Sequence, residues 1–151
     1  MEMELKFRVG ARIARPVAEV YDAVVNPDTL SRYFTTGGAK GRLETGAVVY
    51  WSFHDFPGSF PVNVVEAVEN ERIVFDWDAD EPDAPYKTRV TMSFEALEDG
   101  RTLVSIREEG WRQTPAGLKA SYGNCGGWMQ MLCAMKAWTE HGINLREGMF
   151  K

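Results

Sequence analysis

GGWMQMLCAMKAWTEHG, residues 126–142, sets Trp128, Met131, Leu132, Met135 and then Trp138 or Thr139 at the spacing of one helical face. Gly142 is a good left-handed stop for such a helix, whose start falls between Thr114 and Gly127. So wide an apolar stripe requires an apolar surface to cover. That surface lies upstream, where the hydrophobic pattern changes from helical to alternating.

From about Lys40 to Trp111 the turn signals TGGAKG, FPGSF, ENER, EPDAP and EDGR separate six strand-like segments, near 40–44, 47–54, 60–68, 72–78, 87–97 and 102–111. Short connections between them predict an antiparallel meander, and Asp99-Gly100 is the best local hairpin signal. Ahead of this block, Met3, Leu5, Phe7, Val9, Ala11 and Ile13 share one parity while charges occupy most of the other, the pattern of a half-buried strand. Pro16 then opens a short amphipathic helix through Val17, Val20, Tyr21 and Val24, and Asn26-Pro27 caps and opens a second, PDTLSRYF. The order is strand, two short helices, six strands, long helix. A curved antiparallel sheet of about seven strands with one apolar face needs a cover, and only the last helix is long enough to supply it.

Composition bounds the function. The 151 residues suit one domain over 1–151, with no linker or internal repeat to divide them. A net charge of -5 is a poor match to a phosphate backbone, so no nucleic-acid partner is expected. No apolar run is long enough to span a bilayer, and MEMELKFRVG interleaves charges where a signal peptide needs a continuous apolar stretch. The reading is a cytoplasmic protein without membrane insertion. Cys125 and Cys133, eight residues apart on one helix, are about 12 Å apart along its axis and are expected to be reduced thiols that pack as small hydrophobes.

The arrangement of ARIARPVAEVYDAVVNPDTLSRYF at one end and GGWMQMLCAMKAWTEHGINLR at the other resembles the START-like (SRPBCC) superfamily. Within it the chain is similar to the branch named for the C-terminal domain of the activator of heat-shock-protein ATPase. The marks run along the whole chain: Ile13 and Pro16 before Glu19-Val20-Tyr21, Pro27 with Leu30, Ile73-Val74-Phe75-Asp76-Trp77, Glu108-Glu109-Gly110-Trp111, and Trp128, Leu132, Met135 and Lys136. Tyr33, where many relatives carry Trp, and Asn70-Glu71, where a Pro-rich turn is frequent, depart from the pattern. The resemblance implies an α+β helix-grip fold, a curved sheet wrapped around the long helix with an internal cavity. It also implies relatives that bind lipids, polyketides or hormones, some of them cyclases or dehydratases; fold alone does not choose among these.

Parity names the candidate lining. Phe75 and Trp77 with Ile73, Met92 with Val90 and Phe94, and Trp51 and Phe53 with Val49 face inward, and the helix adds Trp128, Met131 and Met135. Core packing is the default role of each, but several large aromatics together with adaptable methionines also suit the wall of an apolar pocket. Glu108 shares the inward face of Val104 and Ile106, while Glu109 points away, so the two carboxylates form no catalytic pair. A carboxylate on an apolar face needs a partner. A watery rim, an arginine and a ligand all remain open at this point.

Other chemistry has little support. His54 and His141 share no metal-ligand spacing, and His141 is more simply a favourable charge at a helix C-terminus. In DWDADEPDAP, Glu81 stands where a calcium loop has Gly and Lys87 where it has its bidentate Glu, which leaves a solvated loop. TTGGAKGR matches neither phosphate-binding glycine pattern, and no serine has a nucleophile-elbow context. No cofactor or metal is expected. The favoured reading is binding of a small apolar or amphipathic molecule by a monomer or homodimer. An enzyme of the cyclase, dehydratase or hydrolase kind would require a second polar group converging on Glu108. The remaining alternative, a chaperone-ATPase cofactor, is disfavoured because the chain opens directly on the first strand, without the separate domain that makes much of the chaperone contact in the eukaryotic activator.

Overall fold

The computed structural model describes residues 3–81 and 85–151. Strand β1 (Lys6–Ile13) is followed by helices α1 (Val17–Val25) and α2 (Pro27–Tyr33). Next come β2 (Gly38–Lys40), β3 (Val48–Phe53), β4 (Phe56–Val68), β5 (Arg72–Asp78), β6 (Lys87–Ala96) and β7 (Thr102–Glu109), and the chain then enters α3 (Pro115–His141). The seven strands form one antiparallel sheet in the order β1-β7-β6-β5-β4-β3-β2. This is the α+β helix-grip architecture that the resemblance implies, built on the element order read from the periods.

The sheet is apolar on one face because inward positions are apolar strand after strand. Val49 and Trp51, Val62 and Val64, Ile73 and Phe75, Val90 and Met92, and Val104 and Ile106 are all buried. Trp128, Met131, Leu132, Ala134 and Met135 of α3 close over them, with Val20, Val24 and Leu30 of the short helices at one end. Each fully buried aliphatic side chain of this kind contributes about 1.5–3 kcal/mol, so the sheet and α3 hold each other in place.

Local signals terminate the elements as their chemistry requires. Asn26 Oδ1 accepts from the Asp28 amide at 3.0 Å to start α2, and Thr114 Oγ1 accepts from the Gly117 amide at 3.0 Å ahead of Pro115 to start α3. Gly142, at φ 67°, ends α3 and donates its amide to the Ala137 and Trp138 carbonyls. At the β4–β5 turn, Asn70 takes φ 62°, a left-handed conformation that Asn tolerates better than most residues, so this turn closes without proline.

Three boundaries differ from the sequence reading. The strand expected over 40–44 is β2, Gly38–Lys40: Gly41 turns away at φ 104°, and the Leu43 amide donates to the Val25 carbonyl at 3.2 Å, tucking Leu43 into the core. The turn expected at FPGSF lies at His54–Asp55, so Phe56–Ser59 already belong to β4. The acidic run is not all loop, since Asp76 and Asp78 sit on β5 and pair with Arg89 at 2.8 Å and Lys87 at 2.8 Å. Its residues 82–84 lie outside the described part. Cys133, expected to pack inside, is exposed because it falls on the outer side of α3, and Cys125 is half-buried.

Gly117 shows how tightly α3 enters. A Cβ there would fall inside the van der Waals envelope of the Arg112 carbonyl, a backbone group that cannot swing aside. Gly117→Ala should therefore destabilise the protein by about 1–3 kcal/mol in urea denaturation, although alanine favours helices. A neutral or stabilising result would show that the Arg112 turn yields.

Candidate functional site

The register brings Glu108 opposite Val90 and Phe7, one step from Thr88 and Trp77, which face each other across β5 and β6. Its side chain is fully buried and rises toward α3, where Asn124 and Trp128 meet it. Oε1 accepts from Trp128 Nε1 at 2.7 Å and Asn124 Nδ2 at 3.1 Å. Oε2 accepts from Thr88 Oγ1 at 2.7 Å, Trp77 Nε1 at 3.1 Å and Asn124 Nδ2 at 3.0 Å. No cation of the described residues touches this carboxylate: the arginine weighed from sequence is replaced by four neutral donors, two of them indoles.

Such a cluster does two things. It fixes the charge of Glu108 in place by hydrogen bonds, which are stronger when the acceptor is ionised. It also fixes the rings, because each indole can donate in only one direction. Trp77 and Trp128 lie 5.4 Å apart at 32°, and around them Trp51, Phe75 and Phe34 make contacts with centroids 5.4–6.2 Å apart. The Trp51 Nε1–H is buried within this group without a hydrogen-bond partner, and its ring meets Phe34, Phe75 and Trp77 edge to face.

Of the candidate lining residues, Trp51, Phe75, Trp77, Trp128 and Glu108 come together in this one cluster, and Phe53 joins it through Phe34 at 5.1 Å. Met92, Met131 and Met135 are fully buried in the same core. Trp77, Phe53 and Asn124 are only half-buried, so the cluster has an edge toward solvent. A surface groove of about 280 Å³ bounded by Tyr21, Arg42, Leu43 and Glu69 shares none of these residues. Among the described residues no group of three or more His, Cys, Asp or Glu side chains is placed to hold a metal ion, and no helix is long and apolar enough to cross a membrane.

Sequence reasoning missed Asn124, Thr88 and a second buried carboxylate. Asn124 and Thr88 carry no signal of their own; only the meeting of α3 with β6 and β7 assigns them. Asp55, in the β3–β4 turn, pairs with Arg146 from beyond α3 through Nη1–Oδ2 at 2.6 Å and Nη2–Oδ1 at 2.8 Å, with side-chain exposures of 0% and 3%. Arg146 also lies 4.7 Å from the Phe150 ring and 5.8 Å from Phe53. The tail thus clasps the hairpin tip that carries Phe53. No local pattern links two residues so far apart in sequence.

The family model "Activator of Hsp90 ATPase homolog 1-like protein" matches residues 14–140, and the chain belongs to that family. Solved structures share the fold. SSP2350 from Staphylococcus saprophyticus aligns at 23% identity and a TM-score of 0.78, over 93% of this chain and 96% of that one. The Aha1 dimer from Colwellia psychrerythraea aligns at 20% identity and 0.72, over 93% and 98%. CalU16 from Micromonospora echinospora aligns at 18% identity and 0.70, over 91% and 74%. No curated protein sequence matches the chain at a significant level.

Glu108→Leu strands the hydroxyl of Thr88 and the indole of Trp128, both buried, whereas the half-buried Trp77 and Asn124 can turn to water. At about 1–3 kcal/mol for each of the two stranded donors, a loss of about 2–6 kcal/mol is expected in chemical denaturation. An unchanged midpoint would mean that these donors find other partners.

For Asp55, the hydrogen bonds from Arg146 hold its carboxyl below the usual value of 3.8. A lowered folded-state pKa gives stability that is present above the unfolded value and lost as pH falls through the folded one. Arg146→Met leaves this carboxylate buried and unpaired, costing about 3–5 kcal/mol near neutral pH. The gap in Tm between Arg146→Met and the parent should narrow as pH falls below 3.8. A gap independent of pH would assign the loss to the tail's packing and not to the ion pair.

Proposed function

We propose that this protein binds a small apolar or amphipathic molecule against the concave face of the sheet beneath α3, in a cytoplasmic setting that accords with its two free thiols. The observation that carries this reading is Glu108. A carboxylate buried among aromatic rings with only neutral donors around it is a costly way to fill a core, because its desolvation has to be offset by every one of those donors. Two of its four donors, Trp77 and Asn124, reach toward solvent, where a ligand's hydroxyl or amide can take their place. Trp51, Phe53, Phe75 and Trp128 would hold the apolar part, with Met92, Met131 and Met135 as the adaptable floor.

The same geometry favours binding over catalysis. Among the described residues no second acid or base meets Glu108, whose partners are Trp77, Thr88, Asn124 and Trp128, so no acid–base pair is assembled there. Membership of the activator family supports a ligand-binding fold of this kind.

A molecule that binds only the folded chain must raise its Tm. A panel of fatty acids, flavonoids and polyketides should contain compounds that do so in the parent, with the shift reduced in Trp77→Ala. A panel that moves the melting curve at no concentration would remove this function.

A further inference from the structure

Helix α3 runs without interruption through Gly123, Gly126 and Gly127, three residues that weaken a helix interior more than any residue except proline. A helical glycine is usually explained by close packing or by a left-handed backbone. Neither applies here: among the described residues a Cβ at any of the three meets nothing within 4 Å, and none of them has a positive φ. The helix also packs in two parts. Before the glycines, Ala120 belongs to a small cluster with Ala79 and Trp111 that is separate from the main core. After them, Trp128, Met131, Leu132, Ala134 and Met135 belong to the main core. The junction is polar: Asn124, between the glycines, and Trp128, just beyond them, both donate to Glu108.

We infer that Gly123–Gly127 is a hinge within α3, and that the segment from Pro115 to Tyr122 swings away from the sheet when Asn124 releases Glu108. The hinge explains why the glycines are bare, since a bend needs backbone freedom and no packed side chain to resist it. It rests on the proposed binding function for its purpose. The rings around Glu108 touch one another, so a ligand must be admitted by a movement of a wall. The half of α3 outside the main core is the wall with fewest large buried side chains, its buried residues being Gly117, Ala120 and Ser121.

Solvent exchange of the buried Trp128 indole proton, followed by NMR in the full chain, tests the hinge, with the Met92 backbone amide in the central strands as the reference for global unfolding. Replacing all three glycines by alanine should slow Trp128 exchange at least tenfold more than it slows Met92 exchange. Asn124→Ala should do the opposite, speeding Trp128 at least tenfold relative to Met92. If the Trp128 and Met92 rates change by the same factor in both variants, or if the two variants move their ratio in the same direction or leave it unmoved, the hinge is overturned. The measurement needs no ligand, so it stands or falls separately from the melting screen.

Discussion

The structure turns on one carboxylate. Glu108 sits where the concave face of the sheet meets α3, and its oxygens collect donors from β5, β6 and two successive turns of the helix. Hydrophobic burial brings sheet and helix together but is indifferent to small slides and rotations. Hydrogen bonds are not: each indole N–H has one direction, and Glu108 fixes both Trp77 and Trp128 relative to the backbone that carries it. The cost is a charge in an apolar place, which is tolerated because every acceptor position is filled.

Around that point the stability of the fold is unevenly distributed. The central strands and the second half of α3 share one continuous core, whereas the first half of the helix rests on a small cluster with Ala79 and Trp111. The hairpin tip at His54–Asp55 is tied down by Arg146 on Asp55 and by Thr36, whose hydroxyl accepts from the His54 amide. Both of these parts border the aromatic cluster, and both are held by charge-assisted hydrogen bonds. Such bonds can open locally without loss of the core.

The family and the solved neighbours fix the architecture and leave the chemistry to the site. An activator-type name, a dimer from Colwellia and a protein from Micromonospora share this frame at identities of about one residue in five. On this frame the chain sets Tyr33, buried with its hydroxyl on the Ala23 carbonyl, the clasp of Asp55 by Arg146, and glycines where α3 passes Asn124.

The periods of the sequence determined the element order, the antiparallel sheet, the inward faces and the identity of α3 as its cover, because alternation and helical spacing are local properties of the chain. They also put Glu108 on the inner face. Its partners were decided by tertiary structure, since the spacing of Thr88, Asn124 and Trp128 along the chain says nothing about which of them will converge on one carboxylate. The same holds for the turn at His54–Asp55: FPGSF is the better turn by local chemistry, yet Asp55 is drawn inward by Arg146 across 91 positions of sequence. The course of α3 through Gly123, Gly126 and Gly127 belongs with these, because local propensity opposes it. The capped start at Thr114, the Glu108 contacts and the packed second half supply the helix with what its own residues lack.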